Sequence, residues 1–310
     1  MRRTLFSIGL LVLLSGFWDG AWVNAAGGDK AQANAPQKKI VNPADFVGSE
    51  TCETCHEDIN KKFVENPHSR LAMLHGGKGV TCESCHGPGK EHVEAGGDPT
   101  KIFQFSKATP KATDEKCLEC HATAHPNFER TAHGEAGVGC ASCHSIHKFD
   151  SKASLLKVEQ PKLCYTCHSD IKPAFSQPFH HRIDEGLISC SDCHDPHGTF
   201  KDKGLHSSVA GDAVCVKCHS ETAGPFVYEH PPIKTEGCLS CHMPHGSPNP
   251  RLLTRNNVNQ LCLQCHTASI NFTAPGLPTG PTHNQANQYV SCTVCHAQIH
   301  GSNASDIFFK

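Results

Sequence analysis

The side chains that usually build a protein core are scarce in this chain. Its 310 residues include 2 tryptophans, 3 tyrosines and 3 methionines. Both tryptophans, Trp18 and Trp22, stand near the N-terminus, and the sequence after them has none. After residue 25 no segment has the length and apolarity of a membrane-spanning helix, which needs about 20 residues. No long block of either charge occurs, and the formal net charge is −2, so nucleic acid is not a suggested partner. A chain of this size normally folds around one or two apolar cores. Here the apolar side chains are too few and too scattered, so something else must supply the buried material.

The N-terminus reads as an export signal, residues 1–25. Arg2 and Arg3 form a basic start, Leu5 to Leu14 a short apolar run, and Val23-Asn24-Ala25 a small-residue cleavage site. Cleavage is expected after Ala25, with Ala26 as the alternative. It leaves about 285 residues with 26 basic and 29 acidic side chains, about −3. Residues 26–47, rich in Ala, Gln, Asn and Lys, read as a flexible N-terminal segment, and 48–310 as one domain.

What the chain has in excess is cysteine, 20 in all. Such a load implies a disulfide scaffold, a metal array or covalent cofactors. Spacing decides, because Cys-x-x-Cys-His occurs ten times and uses every cysteine. Numbered 1 to 10 in chain order, the motifs open with Cys52, Cys82, Cys117, Cys140, Cys164, Cys190, Cys215, Cys238, Cys262 and Cys292. Their second cysteines are Cys55, Cys85, Cys120, Cys143, Cys167, Cys193, Cys218, Cys241, Cys265 and Cys295. They close with His56, His86, His121, His144, His168, His194, His219, His242, His266 and His296. Two thiols three positions apart reach the two vinyl groups on one haem edge, and the adjacent histidine supplies the proximal iron ligand. A zinc-knuckle array is the competing reading. Zinc needs paired Cys-x-x-Cys half-sites but has no use for a histidine directly after the second cysteine. The expected cofactor is therefore haem c, ten per chain, and the haem faces become the missing core.

Fourteen histidines lie outside the motifs, and they follow a rule. Odd-numbered motifs are followed by a histidine after a long gap: His68, His133, His180, His230 and His283. Even-numbered motifs are followed by one after a short gap: His92, His147, His197, His245 and His300. Five haem pairs with two spare histidines each match the stoichiometry of bis-histidine ligation. These ten are the distal candidates. A histidine three residues past a proximal ligand cannot reach the opposite face of the same haem, so it is expected to serve a neighbour. His75, His125, His181 and His206 are left over, with His181 competing with His180 and His75 with His68. Phe63, Phe128 and Phe175 each stand five residues before a long-gap histidine, and Phe226 four before. Leu155-Leu156, Leu205 and Leu252-Leu253 precede later motifs and read as packing against a haem edge. Gly and Pro punctuation predicts short α-helices and loops wrapped around a quasi-linear haem chain, a multihaem cytochrome c with little regular structure.

With every iron filled by histidine, the expected role is electron transfer and not catalysis. No Cys-x-x-Cys-Lys variant marks an open site. The stretch Gly224-Pro225-Phe226-Val227-Tyr228-Glu229-His230-Pro231-Pro232, the run from Cys238 to Leu253 and Gln260-Leu261-Cys262-Leu263-Gln264-Cys265-His266 resemble the MtrA/DmsE-type decahaem cytochromes. That resemblance covers the chain from about Gly48. It implies a periplasmic protein associated with the outer membrane and threaded through a porin-like β-barrel partner. Electrons would pass between a periplasmic or inner-membrane cytochrome donor and an extracellular multihaem cytochrome or reductase. A free periplasmic shuttle and a terminal reductase are the alternatives.

Overall fold

Proline and glycine, 20 and 26 in number, interrupt the chain so often that its helices stay short. The computed structural model describes residues 41–74, 79–152, 154–207, 214–266 and 291–309. The expected signal 1–25, most of segment 26–47, and His75 and His283 lie outside the described residues. From Asn42 onward the chain forms one unit. Short α-helices, 3-10 turns and loops make up nearly all of the described structure, as in multihaem cytochromes c. Its longest helix, Pro110–His121, starts at a proline whose missing N–H costs nothing there, with the Thr109 hydroxyl accepting from the Ala112 N–H.

The motifs occupy these short helices in two ways. Before odd-numbered motifs a helix or turn leads in, as at Ser49–Glu53, Pro110–His121, Lys162–Tyr165, Val214–Lys217 and Val258–Cys262. At even-numbered motifs the turn begins on the first cysteine, as at Cys82–His86, Cys140–Cys143, Cys190–Cys193, Cys238–Ser240 and Cys292–Val294. In both forms the motif histidine N–H bonds to the carbonyl of the first cysteine, 2.9 Å for His56 and His144 and 3.0 Å for His242. One closed α-turn thus carries both sulfurs and the imidazole on one side.

Buried apolar side chains are few among the described residues: Phe128, Leu155, Phe175, Ile183, Leu205 and Val214. They are too few to offset the entropy of ordering so long a chain. Tertiary order instead comes from small repeated contacts. His144 bridges to Leu156, His194 to Leu205 and His242 to Leu253. In each, the residue after the leucine donates its N–H to the carbonyl of the motif's second cysteine: Lys157 to Cys143, His206 to Cys193 and Thr254 to Cys241. The leucines expected to pack on a cofactor edge therefore also hold the motif by its backbone.

A two-stranded antiparallel ladder joins β1 (Tyr228–Glu229) to β2 (Gly301–Ser302), in the register Tyr228 to Ser302 and Glu229 to Gly301. A related bridge joins Phe179 to Ser247. The N-terminal segment also has a fixed end. Val47 and Gly48 each donate an N–H, at 3.0 Å, to the buried carboxylate of Glu83, inside motif 2. No helix among the described residues is long and apolar enough to cross a membrane.

Close backbone approach makes Gly246 indispensable. A Cβ at Gly246 would collide with the carbonyl oxygen of Ala174. Gly246→Ala should lower unfolding stability by about 1–3 kcal/mol, the usual cost of overpacking, as measured by denaturant titration.

Candidate functional site

Consecutive motifs are neighbours in space. The first cysteines of each odd–even pair lie within hydrogen-bonding reach: Cys52 with Cys82, Cys117 with Cys140, Cys164 with Cys190, Cys215 with Cys238, and Cys262 with Cys292. At the even-to-odd steps the second cysteine lies near the next motif instead: Cys85 near Cys117 and Cys120, Cys143 near Cys164 and Cys167, and Cys193 near Cys218. None of the 20 cysteines forms a disulfide.

A polar side chain just ahead of the odd motif caps the start of the even one. Asp114 accepts from the Cys140 N–H at 2.7 Å, Asn259 from the Cys292 N–H at 2.8 Å, and Gln160 from the Ser191 N–H at 3.0 Å. Ser49 does the same for Cys82 at 3.4 Å. These caps satisfy donors that a helix start leaves open. They were invisible in the sequence because their partners are 31 to 33 positions away, or 26 for Asp114.

The imidazoles show what the arrangement can hold. Nine motif histidines each face a second histidine ring. The centroid distances are 6.3 Å for His56 and His92, 6.2 Å for His86 and His147, and 5.9 Å for His121 and His68. They are 6.0 Å for His144 and His197, 6.1 Å for His168 and His133, and 6.1 Å for His194 and His245. The last three, His219 with His181, His242 with His300 and His266 with His230, are each 6.2 Å. Two metal–nitrogen bonds of about 2.0 Å, plus about 1.1 Å from each nitrogen to its ring centre, separate a trans pair by about 6 Å. The residues present therefore fit an iron between each pair. Among the described residues no cluster of three or more His, Cys, Asp or Glu side chains is arranged as an ordinary metal cage.

The charge state of the rings also suits ligation. Burial, and then the facing histidine, hold His68, His147, His230, His245 and His300 below the ordinary histidine value. Burial followed by His125 does the same to His197. A metal ligand must be a neutral imidazole, and these rings are held in that form.

Ring orientation comes from backbone carbonyls. At the even motifs Nδ1 is paired with a carbonyl 9 to 17 residues on: His86 with Phe103 at 2.9 Å, His144 with Ser154 at 2.7 Å, His194 with Lys203 at 2.9 Å, His242 with Arg251 at 2.9 Å and His296 with Ile307 at 2.6 Å. Such a bond places the proton on Nδ1 and leaves Nε2 for the iron. At motifs 4, 6, 8 and 10 the accepting carbonyl lies on, or one residue before, a left-handed non-glycine residue: Leu155, Lys203, Arg251 and Phe308. Backbone strain recurring at one place in a repeat marks a positioned group.

Eight of the ten candidate distal histidines face a motif histidine: His68, His92, His133, His147, His197, His230, His245 and His300. His283 lies outside the described residues. His180 is the correction. His181 is the ring opposite His219, and its Nδ1 pairs with the Pro244 carbonyl. His180 turns instead to Gln177 and to the Glu185 carboxylate, at 3.1 Å. That carboxylate first, and then the Gln177 carbonyl, raise its pKa and favour a charged ring. Gap counting could not choose between adjacent residues, because alternation of side-chain direction along the backbone decides it. Of the remaining spare histidines, His125 packs on His197 at 4.1 Å and His206 bonds to the Ser191 carbonyl.

The pairing is interleaved. Motifs 2, 4, 6 and 8 face the short-gap histidine that follows the next even motif. Motifs 3, 5, 7 and 9 face the long-gap segment that follows the previous odd motif. Motif 1 departs from the rule and faces His92.

Comparison with known proteins follows the same frame. A doubled CXXCH motif profile matches residues 133–173, 180–224 and 230–270, and a cytochrome c554 and c-prime profile matches 93–145. Each doubled-motif match contains an even motif, the next odd motif and the histidine facing that odd motif. Multiheme cytochrome MtrA of Shewanella baltica is 32% identical over 272 residues, covering 83% of this chain and 79% of that protein. Cytochrome c-type protein NrfB of Escherichia coli is 31% identical over 107 residues, covering 31% of this chain and 52% of its own length. C-type polyheme cytochrome OmcC of Geobacter sulfurreducens is 29% identical over 116 residues, covering 32% of this chain and 14% of that protein.

The correction at residues 180 and 181 has a direct test. His181→Ala should convert one low-spin iron to high-spin in the ferric EPR spectrum, whereas His180→Ala should leave the spectrum unchanged. The reverse result would restore His180 as the ligand.

Proposed function

Since the chain belongs to the MtrA family of multihaem c-type cytochromes, we propose that it binds ten haems c and conducts electrons between periplasmic donors and the cell exterior inside a porin-like β-barrel partner. The observation that carries the conducting role is the set of nine facing imidazole pairs. Haem iron would supply a one-electron carrier at each motif, and nitrogen on both faces leaves no position for a substrate. The protein's own part is to hold each pair of rings oriented and close to the next pair. Bis-histidine ligation without methionine favours low reduction potentials. In this reading the motif histidines are the proximal ligands, and His92, His147, His68, His197, His133, His245, His181, His300 and His230 are the distal ligands of motifs 1 to 9 in order. The family relationship and the expected export signal, cleaved after Ala25, support a periplasmic site at the outer membrane. A free periplasmic shuttle is the second reading.

Intact mass of the mature protein should equal the chain from Ala26 plus ten haems. Detergent extraction should bring an outer-membrane barrel down with it, and recovery solely as a free monomer from an osmotic-shock fraction would favour the shuttle. Ligand assignment is tested by His147→Ala, which should leave ten haems but make the iron at motif 2, not motif 4, high-spin. Ring angles predict the spectrum as well. The pairs at motifs 3, 5 and 7 are steeply crossed, at 82°, 64° and 57°. The pairs at motifs 1, 2, 4, 6, 8 and 9 lie within 28° of parallel. Crossed rings give highly anisotropic low-spin signals and near-parallel rings give rhombic ones, so both classes should be present in the ferric EPR spectrum.

A further inference from the structure

Among the described residues the largest fully buried side chains are polar, and they recur at one kind of place. Asn66, Ser247 and Ser302 are the largest of them, and Thr131 is nearly as buried. Each stands two residues from a distal histidine: His68, His245, His300 and His133 respectively. At all four places two loops meet, each carrying one distal histidine. In the first junction the Asn66 amide donates to the Ile146 carbonyl at 2.8 Å, next to His147, while its oxygen accepts from the His68 N–H at 2.8 Å and pairs with His68 Nδ1 at 2.9 Å. In the second, His133 Nδ1 pairs with the Pro196 carbonyl at 2.9 Å, and Thr131 presses on Gly198, beside His197, leaving no room for a Cβ. In the third, Phe179 and Ser247 exchange backbone hydrogen bonds of 3.2 and 2.8 Å between the His181 and His245 segments. The fourth is the β1–β2 ladder between His230 and His300.

The repeated phenylalanines belong to the same junctions. Phe63, from the His68 side, packs on His147 at 6.5 Å, and Phe175, from the His181 side, packs on His245 at 5.4 Å. Phe226, from the His230 side, fills the space beside Gly301, next to His300. At these three places one loop lays its aromatic ring on the other loop's histidine or its neighbour, and hydrogen bonds join the two loops, from the buried Asn66 side chain at the first and from backbone to backbone at the third and fourth.

Each junction joins the histidine facing an even motif to the histidine facing the next odd motif. The steps joined are 2 to 3, 4 to 5, 6 to 7 and 8 to 9. At the alternate steps, 1 to 2, 3 to 4, 5 to 6 and 9 to 10, the first cysteines touch and the capping side chains Ser49, Asp114, Gln160 and Asn259 tie the motifs directly. Two different devices therefore alternate along the chain.

We propose that the four junctions are positioning clamps for electron transfer, each holding the distal ligands of two consecutive irons as one body and so setting the coupling across that step. The proposal rests on the axial assignment above. Electron tunnelling falls steeply with separation, and loops with so few buried apolar contacts would otherwise open locally. A buried polar group whose hydrogen bonds are all made is rigid and specific in compensation. Asn66 is the clearest case, because its two ends reach the two loops separately.

Full-length holoprotein carrying Asn66→Ala or Asn66→Asp provides the test. Asn66→Ala should keep ten haems by pyridine haemochromogen assay. The highly anisotropic EPR signal of the crossed His121–His68 pair should shift toward rhombic as His68 loses its anchor. Transient absorption after flash reduction should show one inter-haem phase slowed several-fold. Asn66→Asp retains the acceptor for His68 and removes the donor to Ile146, so it should preserve that EPR signal yet still slow the same phase. Unchanged spectra and rates in both variants, or uniform slowing of every phase, would overturn the clamp. Those outcomes are separable from failure of the axial assignment, which His147→Ala reads independently through the spin state at motif 2.

Discussion

An imidazole binds a metal only when it is neutral and its free nitrogen is aimed at the ion, and nothing intrinsic to a loop keeps a ring in that pose. In this protein the loops carry the rings, so each ring has to be held by contacts from elsewhere. The spacing of 5.9 to 6.3 Å between facing ring centres is the outcome of that holding. Burial favours the uncharged form of His68, His147, His197, His230, His245 and His300, and carbonyls on Nδ1 orient the even-motif rings. The same requirement explains why left-handed residues such as Leu155 and Lys203 are tolerated. A turn of that shape turns a carbonyl toward the ring, and the strain of about 1–2 kcal/mol per residue is offset by the site it completes.

Interleaving turns local sites into one structure. An iron held by a motif and by a loop two motifs away would cross-link segments that the sparse apolar core does not hold together. His147 facing His86 ties the fourth motif to the second, and His245 facing His194 ties the eighth to the sixth. On the proposed ligation, cofactor binding and tertiary folding would be the same event, as in small metal-dependent domains. The cysteine contacts and the distal-loop junctions divide the remaining task, one holding odd-to-even steps and the other even-to-odd steps. A conductor needs each of its steps to be held, since the loosest one limits the whole.

The repeat also has a frame that the spacing of histidines alone does not reveal. Counting gaps pairs motif 1 with 2, 3 with 4 and so on. The doubled-motif matches begin at residues 133, 180 and 230 and pair 4 with 5, 6 with 7 and 8 with 9. Both frames are physical. The first follows the touching first cysteines, and the second follows the unit that contains an odd motif together with its own facing histidine. Motif 1 faces His92, which follows its neighbour, motif 2.

The ten Cys-x-x-Cys-His motifs, the short-helix character, the supply of spare histidines and the family were all legible in the residues, because Cys-x-x-Cys-His is a local motif whose chemistry depends on spacing within one turn of helix. The expectation that a histidine three residues past a motif serves another haem was also local, since it needed only the reach of three residues. Which histidine faces which motif was not legible, nor were the caps Asp114 and Asn259 or the link from Asn66 to Ile146. Those depend on loops tens of positions apart meeting, and many pairings satisfy the same count of rings. His180 and His181 mark the boundary most sharply. Sequence determined that a histidine stands there, and tertiary structure decided which one faces His219, because the Phe179–Ser247 bridge sets the direction of each side chain that follows it.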